Sequence, residues 1–231
     1  VKSELLAALV AARQKRQSAV LVRGLDNEKQ CVITASECLG DVEAIDASVI
    51  DAARSALNAS GVRVVEAAGE RYLVQTEAVA VRMLIIGAVH IAQSLIPMAT
   101  QVGYEIFLID PRTAFASPQR FPGIHIDNRW PKEAMSDYEL DARTAVVALS
   151  HDPKIDEPAL QAAMDSDAFY IGALGSKGNH AKRLERLAAL GYSEEQLGRI
   201  NGPIGLPIGG RSPAEIAVST LAQVIQSRNK A

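Results

Sequence analysis

Residues 81–110 constrain this chain more than any other stretch. Val81-Arg82-Met83-Leu84-Ile85-Ile86 is a nearly unbroken apolar run of strand length, the pattern of a strand buried on both faces of a parallel sheet. Gly87-Ala88-Val89-His90-Ile91-Ala92 then turns into an apolar-periodic helix reaching about Val102, and Gly103 stops it. Tyr104 to Ile109 reads as a second buried strand, ending on Asp110. Strand, glycine turn, helix, strand and terminal acid form the first half of a dinucleotide-binding fold. Gly87 permits the sharp exit from the strand, and the helix start offers free N–H groups to an anion. Asp110, 23 residues after Gly87, is placed to accept hydrogen bonds from a hydroxyl-bearing ligand. The fingerprint G-x-G-x-x-G/A asks for glycine at position 89, where this chain has Val89; Ala92 supplies the last small position. A β-branched side chain there obstructs a pyrophosphate, which disfavours NAD(P).

Upstream, Leu5, Leu6, Leu9 and Val10 mark a helix over 3–16 with Ser3 as its cap. Strands follow at Ala19 to Val22 and Cys31 to Ile33, with a turn at Asp26-Asn27. The periodicity predicts a second helix from Asp41 to Ala59, then strands at Val62 to Val65 and Tyr72 to Val74. This makes residues 1–78 a small α/β domain ahead of a Rossmann-like parallel-sheet domain over 79–231. Downstream, Pro111 to Gly123 is a proline-broken loop over the strand ends, followed by a short strand at Ile124 to Ile126 and a helix opened by Pro131. Thr144 to Leu149 and Ala168 to Ile171 are further strands; helices are expected at Ile155 to Met164, Asn179 to Leu190, Ser193 to Ile200 and from Ser212 onward. The last two carry capping boxes, Ser193 with Gln196 and Ser212 with Glu215.

In an open parallel sheet, ligands bind outside the carboxyl ends of the strands. Four polar clusters fall there: Gly87 to His90, Asp110 to Arg112, Ser150 to Lys154, and Gly172 to Lys177. Gly175-Ser176-Lys177-Gly178 resembles a phosphate cradle at a helix start, or equally an ordinary strand-to-helix turn. Lys182, Arg183 and Arg186 read as solvated helix face. Asp152 before Pro153 suits an Asx turn, with ligand contact as the alternative. His90, His151 and His180 could approach one another and hold a metal with Asp110 or Asp152, but a lone histidine hydrogen-bonded to a neighbouring loop is the commoner outcome, so no metal site is expected and no residue is assigned as catalytic. The formal charge of −3 argues against nucleic acid as a partner. No apolar run is long enough for a membrane span, and the start of the chain lacks a signal-peptide layout, so a cytoplasmic location is expected. Cys31 and Cys38 have neither disulfide-framework nor zinc spacing.

With those clusters in view, the chain resembles the XdhC/CoxI family of molybdenum-hydroxylase accessory proteins. The stretches that carry the resemblance, in order between Arg82 and Val224, are IIGAVHIAQSLIPMA, LIDPR, AVVALSHDPKIDEPAL, FYIGALGSKGNHAKRLERL and GPIGLPIGGRSPAEIAVS. The chain departs from the family pattern at Val89, Gly178 and Pro207. Its N-terminal domain is a reduced version in which Cys38 matches the family's thiol. The resemblance implies a cytoplasmic, dimeric, non-catalytic factor that binds molybdenum cofactor (molybdopterin). Such a factor helps the cofactor gain its terminal sulfur with a cysteine desulfurase and delivers it to a xanthine- or CO-dehydrogenase-type enzyme. The residues expected to line the site are Gly87, His90, Asp110, Arg112, His151, Asp152, Lys154, Gly172, Gly175, Ser176 and Lys177. The rivals are an NAD(P)-dependent oxidoreductase and a ligand-free scaffold that only recruits the dehydrogenase.

Overall fold

The computed structural model describes residues 1–57 and 61–230, and the chain divides into two compact units, Val1–Ala80 and Val81–Ala231. In the first, α1 (Ser3–Gln14), β1 (Ala19–Gly24), β2 (Gln30–Thr34) and β3 (Cys38–Gly40) precede α2 (Ala47–Ala56), β4 (Gly61–Ala67) and β5 (Glu70–Glu77). The strands form an antiparallel sheet ordered β3-β2-β1-β5-β4. Successive side chains on a strand face opposite ways, so Val20, Val22, Cys31 and Ile33 pack with Val49 and Ala53 of α2, while Ala19, Leu21 and Val32 pack with Leu5 and Ala12 of α1.

Two expectations for this unit are corrected. Ser3 lies inside α1, and Lys2 takes the cap position with no side-chain capping bond. The second helix starts at Ala47, because Asp46 accepts the Ser48 N–H at 2.9 Å and caps it there. Asp41 instead binds the Lys2 ammonium at 2.8 Å and the Gln30 N–H at 3.0 Å. The expected tail of that helix, up to Ala59, extends beyond the described residues.

The second unit runs β6 (Arg82–Ile86), α3 (His90–Gln101), β7 (Glu105–Ile109), β8 (His125–Asp127), α4 (Pro131–Asp137), β9 (Thr144–Ala148) and α5 (Pro153–Met164). It continues with β10 (Tyr170–Ala173), α6 (Lys177–Ala189), α7 (Glu194–Gly198), β11 (Ile200–Asn201) and α8 (Pro213–Arg228). All six strands are parallel, ordered β8-β7-β6-β9-β10-β11. That is the doubly wound order, with the reversal between β6 and β9. Apolar side chains on both faces explain the unbroken runs. Met83, Ile85 and Val147 pack against Leu95 of α3 and Val224 of α8; Leu84, Ile86 and Val146 pack against Leu160 of α5. Ile200 belongs to β11 and not to the helix before it, which ends at Gly198. No helix among the described residues is long and apolar enough to cross a membrane.

Candidate functional site

At the switch point, main chain meets main chain. Gly87 leaves β6 with φ of +106°, and a Cβ there would sit 2.8 Å from the Ser150 nitrogen and 2.9 Å from its Cα. Only glycine lets the loop after β6 lie this close to the loop after β9. The Ala88 N–H donates to Asp110 Oδ2 at 2.7 Å. Asp110 is fully buried. Its other donors all come from Arg112: the backbone N–H at 2.9 Å, Nε at 2.9 Å and Nη2 at 2.7 Å. Burial pushes this carboxyl up, but the Arg112 guanidinium and the two backbone N–H groups outweigh it and hold Asp110 below the usual carboxylate range. Asp110 therefore departs from the sequence expectation. It does not face a ligand hydroxyl, because the arginine two residues on folds back over it. The partly exposed Arg112 guanidinium is the group this loop presents, 4.8 Å from the Phe115 ring centre and within the fields of Asp152 and Asp156.

The loop after β9 is organised by a residue that sequence reasoning missed. Asp156, in the first turn of α5 and 1% exposed, accepts the Ser150 hydroxyl at 2.6 Å, the Ser150 N–H at 3.1 Å and the His151 N–H at 3.0 Å. Burial is the largest influence and drives its carboxyl up despite these bonds and the nearby Arg183 charge. The bonds hold His151 at a φ of +65°, in the left-handed region a non-glycine residue seldom occupies. Asp152 is the N-cap of α5, accepting the Lys154 N–H at 2.9 Å. The only sequence signal for Asp156 is an acid in a helix's first turn, which is common at exposed positions.

The loop after β10 holds two more corrections. Gly172 lies inside the buried strand, where a Cβ would fall 2.6 Å from the Tyr170 hydroxyl and 2.7 Å from Ile204 Cδ1. It is a packing glycine and not part of a cradle. Gly175, at φ of +147°, opens the turn; Ser176 caps α6 by accepting the Asn179 N–H at 3.2 Å, and Lys177 is the first helical residue. Arg183 is not solvated. It is 6% exposed and its Nη2 donates to the Leu174 carbonyl at 2.9 Å. Arg186 binds Glu157 through Nε at 2.8 Å and Nη2 at 2.5 Å.

Two recesses open on this edge. A cleft of about 200 Å³ lies between the start of α5 and α6, walled by His151, Leu174, Lys182 and Arg183. A shallower groove of about 480 Å³ lies at the start of α3, walled by Val89, His90, Phe115 and Arg120. His151 and His90 thus serve separate recesses. No three histidine, cysteine or acidic side chains gather into a metal-holding group among the described residues.

Sheet order defines a doubly wound α/β domain with its switch point between β6 and β9 and two recesses at the carboxyl edge. The family model of the XdhC Rossmann domain matches residues 83–224, and the chain belongs to that family. It is 34% identical over 148 residues to the molybdenum cofactor insertion chaperone PaoD of Escherichia coli K12, covering 64% of this chain and 40% of that one. It is 28% identical over 150 residues to a probable xanthine dehydrogenase subunit of Bacillus subtilis 168, covering 64% and 43%. The matched region therefore spans about two fifths of the length of these curated relatives. A crystal structure of a xanthine dehydrogenase from Bacillus halodurans superimposes with a TM-score of 0.70 over 98% of this chain and 63% of that one; at 22% identity it speaks for the fold alone.

Proposed function

We propose that this protein is a maturation factor that holds molybdenum cofactor at the carboxyl edge of its parallel sheet. It passes the cofactor to a xanthine- or CO-dehydrogenase-type molybdenum hydroxylase. Sulfuration by a cysteine desulfurase before transfer, and a homodimer as the working unit, belong to the same reading. One observation carries it: the loops after β6, β7, β9 and β10 all open at one sheet edge around the switch point, with cationic and N–H donors facing a recess.

The donor set fits the group. Molybdenum cofactor bears a phosphate and a polar pterin, and the edge offers Arg112, His151, Lys154, Lys177 and Lys182 together with the capped start of α6. Gly175 keeps the turn before α6 free of a side chain, and Gly87 lets the loops after β6 and β9 meet main chain to main chain. When bound, the cofactor supplies the redox-active metal centre. The chain's own residues bind and orient it, without breaking bonds. A nicotinamide dinucleotide fits less well, because Val89 walls the start of α3 and the Asp110 oxygens are taken by Ala88 and Arg112.

The test is anaerobic titration of the purified protein with molybdenum cofactor released from a holoenzyme. Bound pterin is then quantified by its fluorescence after oxidation. Saturable binding at one site per chain is expected. A flat response would remove the carrier role and leave the ligand-free recruiter as the better account.

A further inference from the structure

We infer that the cleft between the start of α5 and α6 is a binding site for a phosphate-type dianion, with Arg183 as its buried anchor. The inference deepens the carrier reading and rests on it only for which molecule bears the phosphate.

The first ground is an unmet donor. Arg183 Nη1 is buried and has no hydrogen-bond partner, while Nη2 of the same guanidinium is fixed on the Leu174 carbonyl. A buried cation with an idle N–H is costly to leave unpaired. Burial, its largest influence, makes the charged guanidinium harder to hold, and Asp156 and Glu157 offset this only in part. Arg183 is one of the residues lining the cleft, which places its guanidinium at the wall of the recess.

The second ground is the charge balance of the walls. Glu157 is the acid lining the cleft, and it is already bound to Arg186. Lys182 and Arg183 share this wall with the Asn179 side chain, and the Arg183 charge is offset only in part by Asp156 and Glu157. The missing Cβ of Gly175 would lie 3.5 Å from Asn179 Cβ and 3.8 Å from Arg183 Nη2, so glycine leaves the turn before α6 open above the guanidinium. The α6 start adds a favourable dipole.

The third ground is size. At about 200 Å³ the cleft falls below the range that encloses a drug-sized ligand. It has room for a phosphate group. A guanidinium fork is suited to two oxygens of one phosphate, which is why arginine and not lysine is expected at the bottom.

The test uses the full chain at low ionic strength, with inorganic phosphate as the probe and titration followed by calorimetry and phosphorus NMR. Wild type is expected to bind phosphate saturably. Arg183→Gln and Lys182→Ala are each expected to weaken binding by about tenfold or more. Arg228→Ala, which removes a cation stacked on Tyr104 at the opposite, amino edge of the same sheet, should leave it within about twofold, as a distant independent site does. Lys182 is exposed, so its variant carries the test if Arg183→Gln fails to fold by circular dichroism. Molybdenum cofactor added to the phosphate-bound protein is expected to release the phosphate. Phosphate binding without such release assigns the cleft to the free ion and counts against the carrier reading alone. Absence of saturable phosphate binding, or unchanged affinity in Lys182→Ala, overturns the site. Wild-type cofactor affinity in a folded Arg183→Gln overturns the anchor while leaving the carrier reading intact.

Discussion

Replacing Asp110 with asparagine should be among the most damaging single-atom changes in the second unit. The carboxylate is fully buried and accepts four donors, two backbone N–H groups and two guanidinium nitrogens, at 2.7 to 2.9 Å. An amide nitrogen in place of either oxygen points donor against donor and leaves Arg112 without its counter-charge. Breaking one side of a fully buried pair costs about 3–5 kcal/mol. Arg112 keeps a third of its side chain in solvent, so screening lowers the expected loss to about 3 kcal/mol. For a chain of this length each kcal/mol moves the melting temperature by about 2–4 °C, giving a fall of about 6–12 °C. Urea unfolding and calorimetry on both proteins measure it. The pH dependence has a fixed sign. Asp110 lies below its ordinary range when folded, so its contribution is present above the unfolded carboxylate's range and is lost as pH falls through the folded value. The gap between wild type and Asp110→Asn should therefore close below about pH 4. A gap under about 1 kcal/mol at neutral pH, or one that widens in acid, would refute the clamp as the source of the stability.

Gly87→Ala forces a side chain into the left-handed region and onto the Ser150 backbone; a loss of about 2–5 kcal/mol in urea unfolding is expected, and a loss of a few tenths would contradict the close approach. Cys31 is fully buried and burial pushes its thiol up to about 12, whereas Cys38 is exposed. An aromatic disulfide reagent at mildly alkaline pH should therefore titrate Cys38 in the folded protein and Cys31 only after denaturation. NADH titrated against the protein should give no saturable fluorescence change; micromolar affinity would show that Val89 and the Asp110 clamp do not close the site to a dinucleotide.

The parallel sheet is legible in the sequence because its strands are buried on both faces and announce themselves as apolar runs. The glycine turn, the four polar clusters and both late capping boxes are legible for similarly local reasons, and both boxes form, at Ser193 and Ser212. What escapes a reading of the residues depends on side-chain contacts that only the folded turns create. Arg183 lies among charged neighbours on α6 and looks solvated until the Leu174 carbonyl is brought beneath it. Asp156 gains its role from Ser150 and His151, which only the turn after β9 brings to it. Gly172 reads as one of the glycines that follow it, though Tyr170 and Ile204 are what require it. The strands β3 and β11, three and two residues long, are too short to show any period.

Main chain touching main chain at Gly87 and Ser150 has an evolutionary corollary. A boundary made of peptide atoms cannot be recut by exchanging one side chain for another. On the proposed carrier reading, any drift in the ligand has to be written in residues 111–123 and 174–183, while the seam at Gly87 and Ser150 stays the same whatever is bound.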